Sequence, residues 1–403
     1  MSSLHRALVV AFVLGLGYSI TLSETSLVLL SLVWLWRLFD GEHRRGAPWP
    51  LAAPMAAFVA VTVLSALLSG YPAASLLAAK VTMLAVTLYV IADALSGTAD
   101  ADWILSGLAI VAAGAALLGL AQVSLCPQPE PTQGLAHWIF HRCDRARGAF
   151  SIYMTLAGVL SLVLLTSVPR ILPGPNLRRW SVPVWLVTVC GLAATLTRGA
   201  WIGFGAGVLA FLPASRRGRW LLVGGLVVLA VAALAGPRNL SRRFASMADP
   251  QDPSVLEREY MWRSSIAMWR ERPWLGWGPG GVKREYSRYV VPEAVKTRTG
   301  HVHNTPLQIL VERGVLGLAA WLWLWMEFYA RTITLLRRLP AAAVRERALV
   351  AGSLAAVTGF LVAGLAEYNF GDSEVVLVAW TVVALPFVVE RATRTAALAR
   401  PAD

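Results

Sequence analysis

A pair of histidines stands directly before one of the apolar segments of this sequence. His301 and His303 are separated by one residue and precede the apolar run that begins at Thr305. A neutral imidazole has an unperturbed pKa of about 6.5, so either histidine is suited to accept a proton from a hydroxyl group. A His-x-His pair also occurs in metal sites, but no cysteine or acidic cluster accompanies this one. The pattern favours a general base without a metal, and it leaves open which histidine acts.

A stripe of polar residues follows the histidines. Asn304, Gln308 and Glu312 recur at every fourth position, so a helix places them on one face that descends about 12 Å. A bilayer strongly disfavours such groups, and the stripe therefore indicates either a functional site or a polar network that packs this helix against its neighbours. Gly314 and Gly317 predict close helix packing just below the stripe.

An isolated arginine interrupts two apolar runs further upstream. Arg198 lies in the segment Thr195-Leu-Thr-Arg-Gly-Ala-Trp-Ile-Gly203, where small residues let backbones approach. A charge at this depth needs a partner. Glu367 or Asp372, in the turn before the last apolar run, is one candidate counter-ion, and the phosphate of a ligand is the other.

Two segments between apolar runs, at about 124–149 and 237–304, are rich in arginine. Arginine exceeds lysine there, which suits bidentate binding of phosphate, although contact with anionic lipid headgroups is the alternative. Nucleic acid is not expected as a partner, because the chain has no soluble basic domain to present to it. The basic residues are Arg142, Arg145, Arg147, Arg238, Arg242, Arg243, Arg258, Arg263, Arg270, Arg272, Lys283, Arg284, Arg288, Lys296 and Arg298.

The second basic segment also contains a predicted helix and a glycine-rich turn. Large apolar residues recur at helical spacing between Glu257 and Trp277, with arginines interleaved, which predicts an amphipathic helix at the membrane face that ends at Pro273. The following Gly276-Trp-Gly-Pro-Gly-Gly281 lacks the Lys-Ser/Thr of a P-loop. It predicts a turn that brings backbone close to a neighbour, and ATP is not indicated.

The composition is that of a polytopic membrane protein. The chain has 403 residues, of which 57% are hydrophobic and 15% charged, and its mean hydropathy is +0.59. We predict an all-α fold with about twelve membrane spans, since apolar runs of roughly 17–25 residues recur along the sequence. The predicted spans lie near 7–23, 25–39, 51–69, 73–92, 103–123, 150–168, 181–197, 199–213, 219–236, 305–329, 348–367 and 373–390.

Basic residues in the short loops predict the orientation. They place both termini in the cytoplasm and the two arginine-rich segments on the outer side, because positive charge is enriched in short cytoplasmic loops. The chain then divides into residues 1–236, with nine spans and a short outer loop near 124–149, residues 237–304, a long, partly helical outer loop, and residues 305–403, with three spans and a cytoplasmic tail.

Three cysteines are too few for a disulfide scaffold or a thiolate metal site. Cys190 lies within a predicted span. Cys126 and Cys143 share the first outer loop, so a single bridge between them is possible in an oxidising compartment.

Several short motifs, in this order on about twelve spans, resemble the O-antigen ligase superfamily. They are His303-Asn304 with Leu307-Gln308, Glu312, Gly314 and Gly317, together with Thr197-Arg-Gly-Ala200 and Arg258-x-x-x-Trp262…Pro273-x-x-Gly276-x-Gly278. The superfamily includes lipopolysaccharide O-antigen ligases, O-antigen polymerases and bacterial protein O-oligosaccharyltransferases. The motifs extend over about residues 140–375.

The resemblance implies an enzyme of lipopolysaccharide biosynthesis. Its donor would be an O-antigen glycan on undecaprenyl diphosphate, its acceptor a sugar hydroxyl of lipid A-core, and it would need neither ATP nor a metal or other cofactor. His303 matches the essential histidine of the family, Arg198 and Arg258 match arginines that would bind the donor diphosphate, and Arg147 resembles a further one. The site would face the periplasm from the bacterial inner membrane, in contact with membrane lipids.

Other functions remain open at this point. An O-antigen polymerase or a protein O-oligosaccharyltransferase would use the same donor, and the basic outer loop favours a ligase because lipid A-core is itself phosphorylated. A transporter of an anionic lipid or solute is the alternative from another class, since Glu312 and Arg313 lie at membrane depth.

Overall fold

The computed structural model describes residues 3–39, 49–127, 133–140, 143–171, 181–211, 249 and 251–398. Within these ranges the chain is helical and contains no β-strand, as the sequence predicted. Parts of several predictions lie outside the described residues, namely the span at 219–236, the tail from 399 and the basic residues Arg142, Arg238, Arg242 and Arg243.

Each predicted span within the described ranges is largely helical, although the one at 7–23 runs past the helix end at Tyr18 and the one at 73–92 is divided among three helices. Two short 3₁₀ turns, Tyr286–Arg288 and Asn369–Gly371, accompany them. In chain order the helices are α1 Ser3–Tyr18, α2 Ile20–Leu38, α3 Ala52–Leu67, α4 Pro72–Ala78, α5 Lys80–Met83, α6 Val86–Ala94, α7 Thr98–Ser124, α8 Gly134–Phe140, α9 Tyr153–Ile171, α10 Ser181–Ala194, α11 Arg198–Phe211, α12 Pro253–Glu271, α13 Gly281–Glu285, α14 Thr305–Arg338, α15 Val344–Ala363 and α16 Ser373–Leu398.

Not all of these helices are long enough to cross a bilayer. Among the described residues, five helices have the length and apolarity of a membrane span, namely α2, α7, α14, α15 and α16, and a sixth candidate is the bent pair Pro72–Ala78 and Lys80–Ala94. A multi-pass membrane protein follows from these helices. The number of about twelve spans and the orientation stay predictions.

Helix ends carrying opposite charges meet at one face of the bundle. Arg37 pairs with Asp93 at 2.9 Å, and Arg345 pairs with Asp102 at 3.0 Å. Arg37 and Arg345 are among the residues that the charge pattern assigns to the cytoplasm, whereas the acidic loop from Asp93 to Asp102 gives that orientation no support. At the other end of the bundle, which we call the site face, α7, α10 and α15 end and α9, α11, α14 and α16 begin.

Small residues bring α11 and α15 close together. A Cβ at Gly203 would lie 2.5 Å from the carbonyl oxygen of Gly359 and 2.7 Å from Cβ of Ala363, so only glycine fits at this crossing. Close backbone approach of this kind is the usual basis of helix packing in membranes. It sets Arg198, at the beginning of α11, beside the segment that follows α15.

Helix α14 is broken within the membrane-length segment. Gly314 has φ 66° and ψ −170°, a backbone conformation that L-residues avoid. The break withdraws intrahelical partners from the carbonyls of Val311 and Glu312 and from the amides of Val315 and Leu316. Unpaired backbone groups at this depth would each cost several kcal/mol, so other partners are needed.

The glycine-rich segment after α12 supplies those partners. The amides of Trp277 and Gly278 donate to the carbonyls of Val311 and Glu312 at 3.0 and 2.9 Å. In return, the carbonyl of Pro273 accepts from the amide of Val315 at 2.8 Å, and that of Trp274 accepts from Leu316 at 3.3 Å. The turn thus brings backbone against a neighbour, as the sequence predicted, and it anchors the long loop on α14.

The long loop also has a small apolar core of its own. Helix α12 is present where the sequence predicted it, and it ends at Glu271, just before Pro273. The buried face of α12 packs against residues between Trp277 and Tyr286, against Val302 next to the histidines, and against Val311 of α14. The members of this core are Met261, Met268, Trp277, Val282, Tyr286, Val302 and Val311.

Candidate functional site

A cavity of about 220 Å³ opens at the site face. Residues before α9, at the beginning of α11, on α12 and in the segments before α14 and α16 contribute to it, so segments distant in sequence converge there. Its described lining consists of Arg145, Tyr153, Met154, Leu196, Thr197, Arg198, Gly199, Ser254, Glu257, Arg258, Met261, Lys296, His303 and Glu367.

His303 presents one edge of its ring to a carboxylate. Its Nδ1 lies 3.0 Å from Oε2 of Glu367, and both side chains are largely buried, with 17% and 12% exposed. An ionised carboxylate can only accept, so in the neutral imidazole this contact favours the tautomer with the proton on Nδ1, which leaves Nε2 as the proton acceptor. The geometry suits a general base whose tautomer is fixed by a neighbouring acid.

The same carboxylate holds the predicted loop arginine. Nη2 of Arg258, on α12, donates to Oε1 of Glu367 at 2.6 Å. Glu367 therefore bridges His303 and Arg258, and it joins α12 to the segment between α15 and α16. Sequence reasoning named Glu367 only as a supporting residue and a candidate partner of Arg198.

Two polar residues at the start of α14 bring His303 and Glu367 together. Asn304 is the N-cap, its Oδ1 accepting from the amide of Leu307 at 2.9 Å, and its Nδ2 donates to the carbonyl of Leu365 at 3.0 Å. The hydroxyl of Thr305 lies 3.0 Å from the carbonyl of Glu367. These contacts tie the histidine segment to the segment that carries the acid.

Arg198 has a carboxylate partner, and this partner is Asp252. Nη1 and Nη2 of Arg198 donate to the two oxygens of Asp252, each at 3.1 Å, and Nη2 also contacts the hydroxyl of Ser254. Glu367 was the candidate counter-ion in the sequence, but it engages His303 and Arg258. Burial opposes ionisation of Asp252, yet hydrogen bonds from Ser254 and Arg198 outweigh it and hold the pKa of Asp252 well below its usual range.

Asp252 has a second role in the same place. Its Oδ1 accepts from the amide of Ser254 and so caps α12. One side chain thus starts the loop helix and holds it against Arg198. An Asp-Pro-Ser sequence is a helix-start signal, so this cap was recognisable in the sequence, whereas its pairing with Arg198 was not.

Asp372, the other carboxylate considered for Arg198, lies outside the described cavity lining. It accepts from the hydroxyl of Thr155 at 2.5 Å and from the amide of Val375 at 3.2 Å. It therefore joins α9 to the start of α16.

Two arginines of the first outer loop, Arg145 and Arg147, have different surroundings. Arg147 is buried, with its guanidinium near the carbonyls of Phe150 and Ile139, and its amide donates to Gln122 on α7. Arg145 lies in the cavity lining. The family resemblance pointed to Arg147, whereas Arg145 was named only as one of the basic residues of this loop.

The guanidinium of Arg145 is available to a ligand. It stacks over the ring of Tyr153 at 4.4 Å. The neighbouring Asp144 is 3.7 Å from its Nε but has 75% of its side chain exposed. Such a pair is worth at most about 1 kcal/mol, so it does not neutralise Arg145 as Asp252 does Arg198.

A disulfide ties this first loop to α7. Cys126 and Cys143 are bonded, with their Cα atoms 6.0 Å apart, and Cys143 stands two residues before Arg145. From the sequence alone this disulfide was only a possibility. It restricts the segment that brings Arg145 to the cavity.

His301 packs against the ring of His303, with their centroids 4.4 Å apart and the planes at 73°. Among the described residues, its Nδ1 is buried without a hydrogen-bond partner. Burial and the neighbouring His303 lower the pKa of His301 to about 4, against the attraction of Glu367. His301 is therefore uncharged at neutral pH, and it lies behind His303 instead of in the described cavity lining.

Gln308 and Glu312 are both buried and form one network. Nε2 of Gln308 donates to Oε1 of Glu312 at 2.9 Å, and the amide of Gly280 donates to the same oxygen at 2.8 Å. The other oxygen of Glu312 accepts from Nη1 of Arg313 at 3.3 Å, and Nε of Arg313 donates to Thr62 at 3.1 Å. Gln308 and Glu312 thus hold the long loop on α14, and Arg313 joins their network to α3.

No group of three or more His, Cys, Asp or Glu side chains capable of holding a metal ion occurs in the part of the chain that the structure describes. Of the acidic and histidine side chains in the described cavity lining, His303 and Glu367 contact each other, and Glu257 accepts from the amides of Val295 and Lys296.

Comparison with known proteins adds one match. The family model described as O-antigen ligase matches residues 183–322, from within α10 to within α14. This segment contains Arg198, Arg258 and His303, whereas Glu367 lies beyond it. No curated protein matches the chain. The match confirms the resemblance inferred from the motifs, and residues 183–322 of this chain carry a domain of the O-antigen ligase superfamily.

Proposed function

We propose that the protein transfers O-antigen polysaccharide from undecaprenyl diphosphate to a sugar hydroxyl of lipid A-core, at the periplasmic face of the bacterial inner membrane. The observation that carries this proposal is the bridge of Glu367 between His303 and Arg258, in one cavity with Arg198. It combines an oriented proton acceptor with cations suited to a diphosphate.

The proposed reaction is a direct displacement. The acceptor hydroxyl gives its proton to Nε2 of His303 while its oxygen forms a bond to the anomeric carbon of the donor. The bond from that carbon to the diphosphate oxygen breaks, and its electron pair leaves with the diphosphate. The imidazolium formed is stabilised by Glu367, and the anomeric configuration inverts. A base in this position contributes about 10² to 10⁴ in rate.

Arginines would stabilise the leaving diphosphate. Arg198 and Arg258 are each oriented by a carboxylate, and the planar guanidinium of arginine suits bidentate binding of phosphate. Arg145 adds a cation that is not neutralised by a buried acid. The family resemblance suggested Arg147 as a further ligand of the diphosphate. Its contacts with the carbonyls of Phe150 and Ile139 favour instead a role in holding the first outer loop in place.

The disulfide and the family support the proposed location. Bridges persist in oxidising compartments such as the periplasm, and Cys126–Cys143 lies at the site face. The opposite face carries the arginines that the charge pattern assigns to the cytoplasm. The lipid tail of the carrier would then lie between helices, with its diphosphate at the level of the cavity.

Reconstitution with a defined donor tests this proposal. Purified protein in liposomes would be supplied with carrier-linked glycan in three separate reactions. The first contains lipid A-core as the acceptor, the second contains no added acceptor, and the third contains a pilin-like protein. We expect glycan on lipid A-core, and His303→Ala is expected to abolish transfer at unchanged protein abundance. Lengthening of the carrier-linked glycan would indicate a polymerase, and a labelled protein would indicate an oligosaccharyltransferase. Near-normal transfer by His303→Ala would overturn the assigned base.

A further inference from the structure

The residue before His303 is held at both of its polar backbone groups. Val302 is completely buried. Its amide donates to Oε1 of Gln308 at 2.9 Å, and its carbonyl accepts from Nε1 of Trp262 at 3.0 Å. Gln308 belongs to α14 and Trp262 to α12, so two separate helices hold the peptide units on either side of Val302.

This arrangement bears on the conformation of His303. Its φ of 48° lies in the left-handed region, which residues with a side chain rarely adopt because Cβ crowds the following carbonyl oxygen. Such a conformation persists only where the surroundings over-determine it. The N-cap Asn304 follows immediately, and its side chain contacts Leu307 and Leu365, so the residues on both sides of His303 are anchored.

We propose that Trp262 and Gln308 are positioning residues, which hold Val302 from two helices and thereby keep His303 in the left-handed conformation that brings its ring to Glu367. The inference rests on the proposed function, in which His303 is the base. Neither residue lines the described cavity, so both act through His303 and not on the substrate.

The two hydrogen bonds that hold Val302 depend on the docking of the long loop on α14. Nε2 of Gln308 bonds to Glu312, which also accepts from Gly280 in the glycine-rich segment, while Trp262 belongs to the helix just before that segment. Separation of α12 from α14 would therefore break the bond from Trp262 to Val302, and withdrawal of Gly280 would remove one partner of the Glu312 carboxylate that orients Gln308. His303 is correctly placed only when the loop is seated.

A matched pair of tryptophans allows a direct test. Trp262→Phe keeps an aromatic ring but removes the N–H that reaches Val302. Trp269→Phe removes an equivalent bond on the same helix, since Nε1 of Trp269 donates to the carbonyl of Pro273 at 3.2 Å. We expect kcat of Trp262→Phe to fall by about 10- to 100-fold with KM for the donor nearly unchanged, because misplacing a reacting group costs up to about 10² in rate. Trp269→Phe is expected to retain kcat.

Nitrogen-15 NMR of histidine-labelled protein supplies a readout that does not need activity. The wild-type protein and Trp269→Phe should show His303 as the Nδ1-protonated tautomer, and Trp262→Phe should show a mixture of tautomers. Gln308→Met, which has a similar volume and no amide, is expected to behave like Trp262→Phe in both measurements. Melting temperatures of all variants identify any that are merely unfolded.

The outcomes separate the inference from the proposed function. If Trp262→Phe and Trp269→Phe, both folded, have the same kcat and the same tautomer spectrum, the inference is wrong. If His303→Ala remains active, the proposed base is wrong, while the NMR comparison still decides whether Trp262 and Gln308 hold the histidine segment.

Discussion

Glu367 is the residue on which the chemistry of the cavity converges. It accepts from His303 with one oxygen and from Arg258 with the other. Arg258 balances its charge, while His303 gains a partner that stabilises the imidazolium. In sequence this carboxylate is an ordinary acid in a turn, because nothing in the turn indicates which distant residues it meets. The histidine and the arginines could be expected from the sequence, whereas their common partner became apparent only in the fold.

The different surroundings of Arg145 and Arg147 lead to a prediction for these two residues. Arg145→Ala should lower kcat/KM for the donor by about 10- to 100-fold without affecting the melting temperature, since a hydrogen bond to a charged group is worth about 1.5–3 kcal/mol. Arg147→Ala should mainly lower the melting temperature, because it empties a buried site. Arg263→Ala, which removes an exposed arginine on α12, serves as the control and should change neither. A stable Arg147→Ala with strongly reduced donor binding would reverse the two assignments.

His301 predicts a pH dependence of stability. Its pKa is about 4 in the folded protein, below the value of 6.5 for an exposed histidine. As the pH falls below about 6.5 the unfolded chain therefore takes up the proton first, and stability declines until the pH reaches about 4. His301→Phe should reduce the difference in melting temperature between about pH 7.5 and about pH 5. An unchanged difference would show that His301 is readily protonated in the fold.

At the scale of the elements, most helices follow from the sequence, and the break in α14 does not. The span, its N-cap at Asn304 and the proline in its first turn are readable in advance. A glycine with positive φ inside an apolar run looks the same in sequence as a glycine that permits close packing. Gly314 was accordingly interpreted as a packing residue, whereas its role is to open the helix for the segment from Pro273 to Gly278.

Substitution of this glycine tests the role of the break. A Cβ at Gly314 would lie 2.1 Å from the carbonyl oxygen of Trp274, and the left-handed backbone alone costs about 1–2 kcal/mol. Gly314→Ala should lower the melting temperature substantially and expose the loop to proteolysis. Gly205→Ala, at a helical glycine with no atom within 4 Å, is the control and should be neutral. A fully stable Gly314→Ala would mean that α14 can close without the loop.

At the scale of the whole molecule, the bundle has two distinct ends. One is fastened by pairs such as Arg37–Asp93, and the other gathers the cavity, the disulfide and the long loop. The O-antigen ligase match covers the residues from α10 to α14, while Arg145 and Glu367 come from either side of it. The proposed site therefore needs helices from both halves of the chain, which a linear motif cannot reveal.

The four backbone hydrogen bonds between the glycine-rich segment and the break in α14 limit how far the long loop can move. Lifting this segment away would leave those amides and carbonyls without partners, at several kcal/mol each in apolar surroundings. The segment is thus a fixed anchor of the long loop on α14 and not a lid. In the proposed reaction, a carrier lipid would therefore have to reach the cavity sideways between helices and a bulky glycan from the site face, so the two substrates would have separate routes to His303.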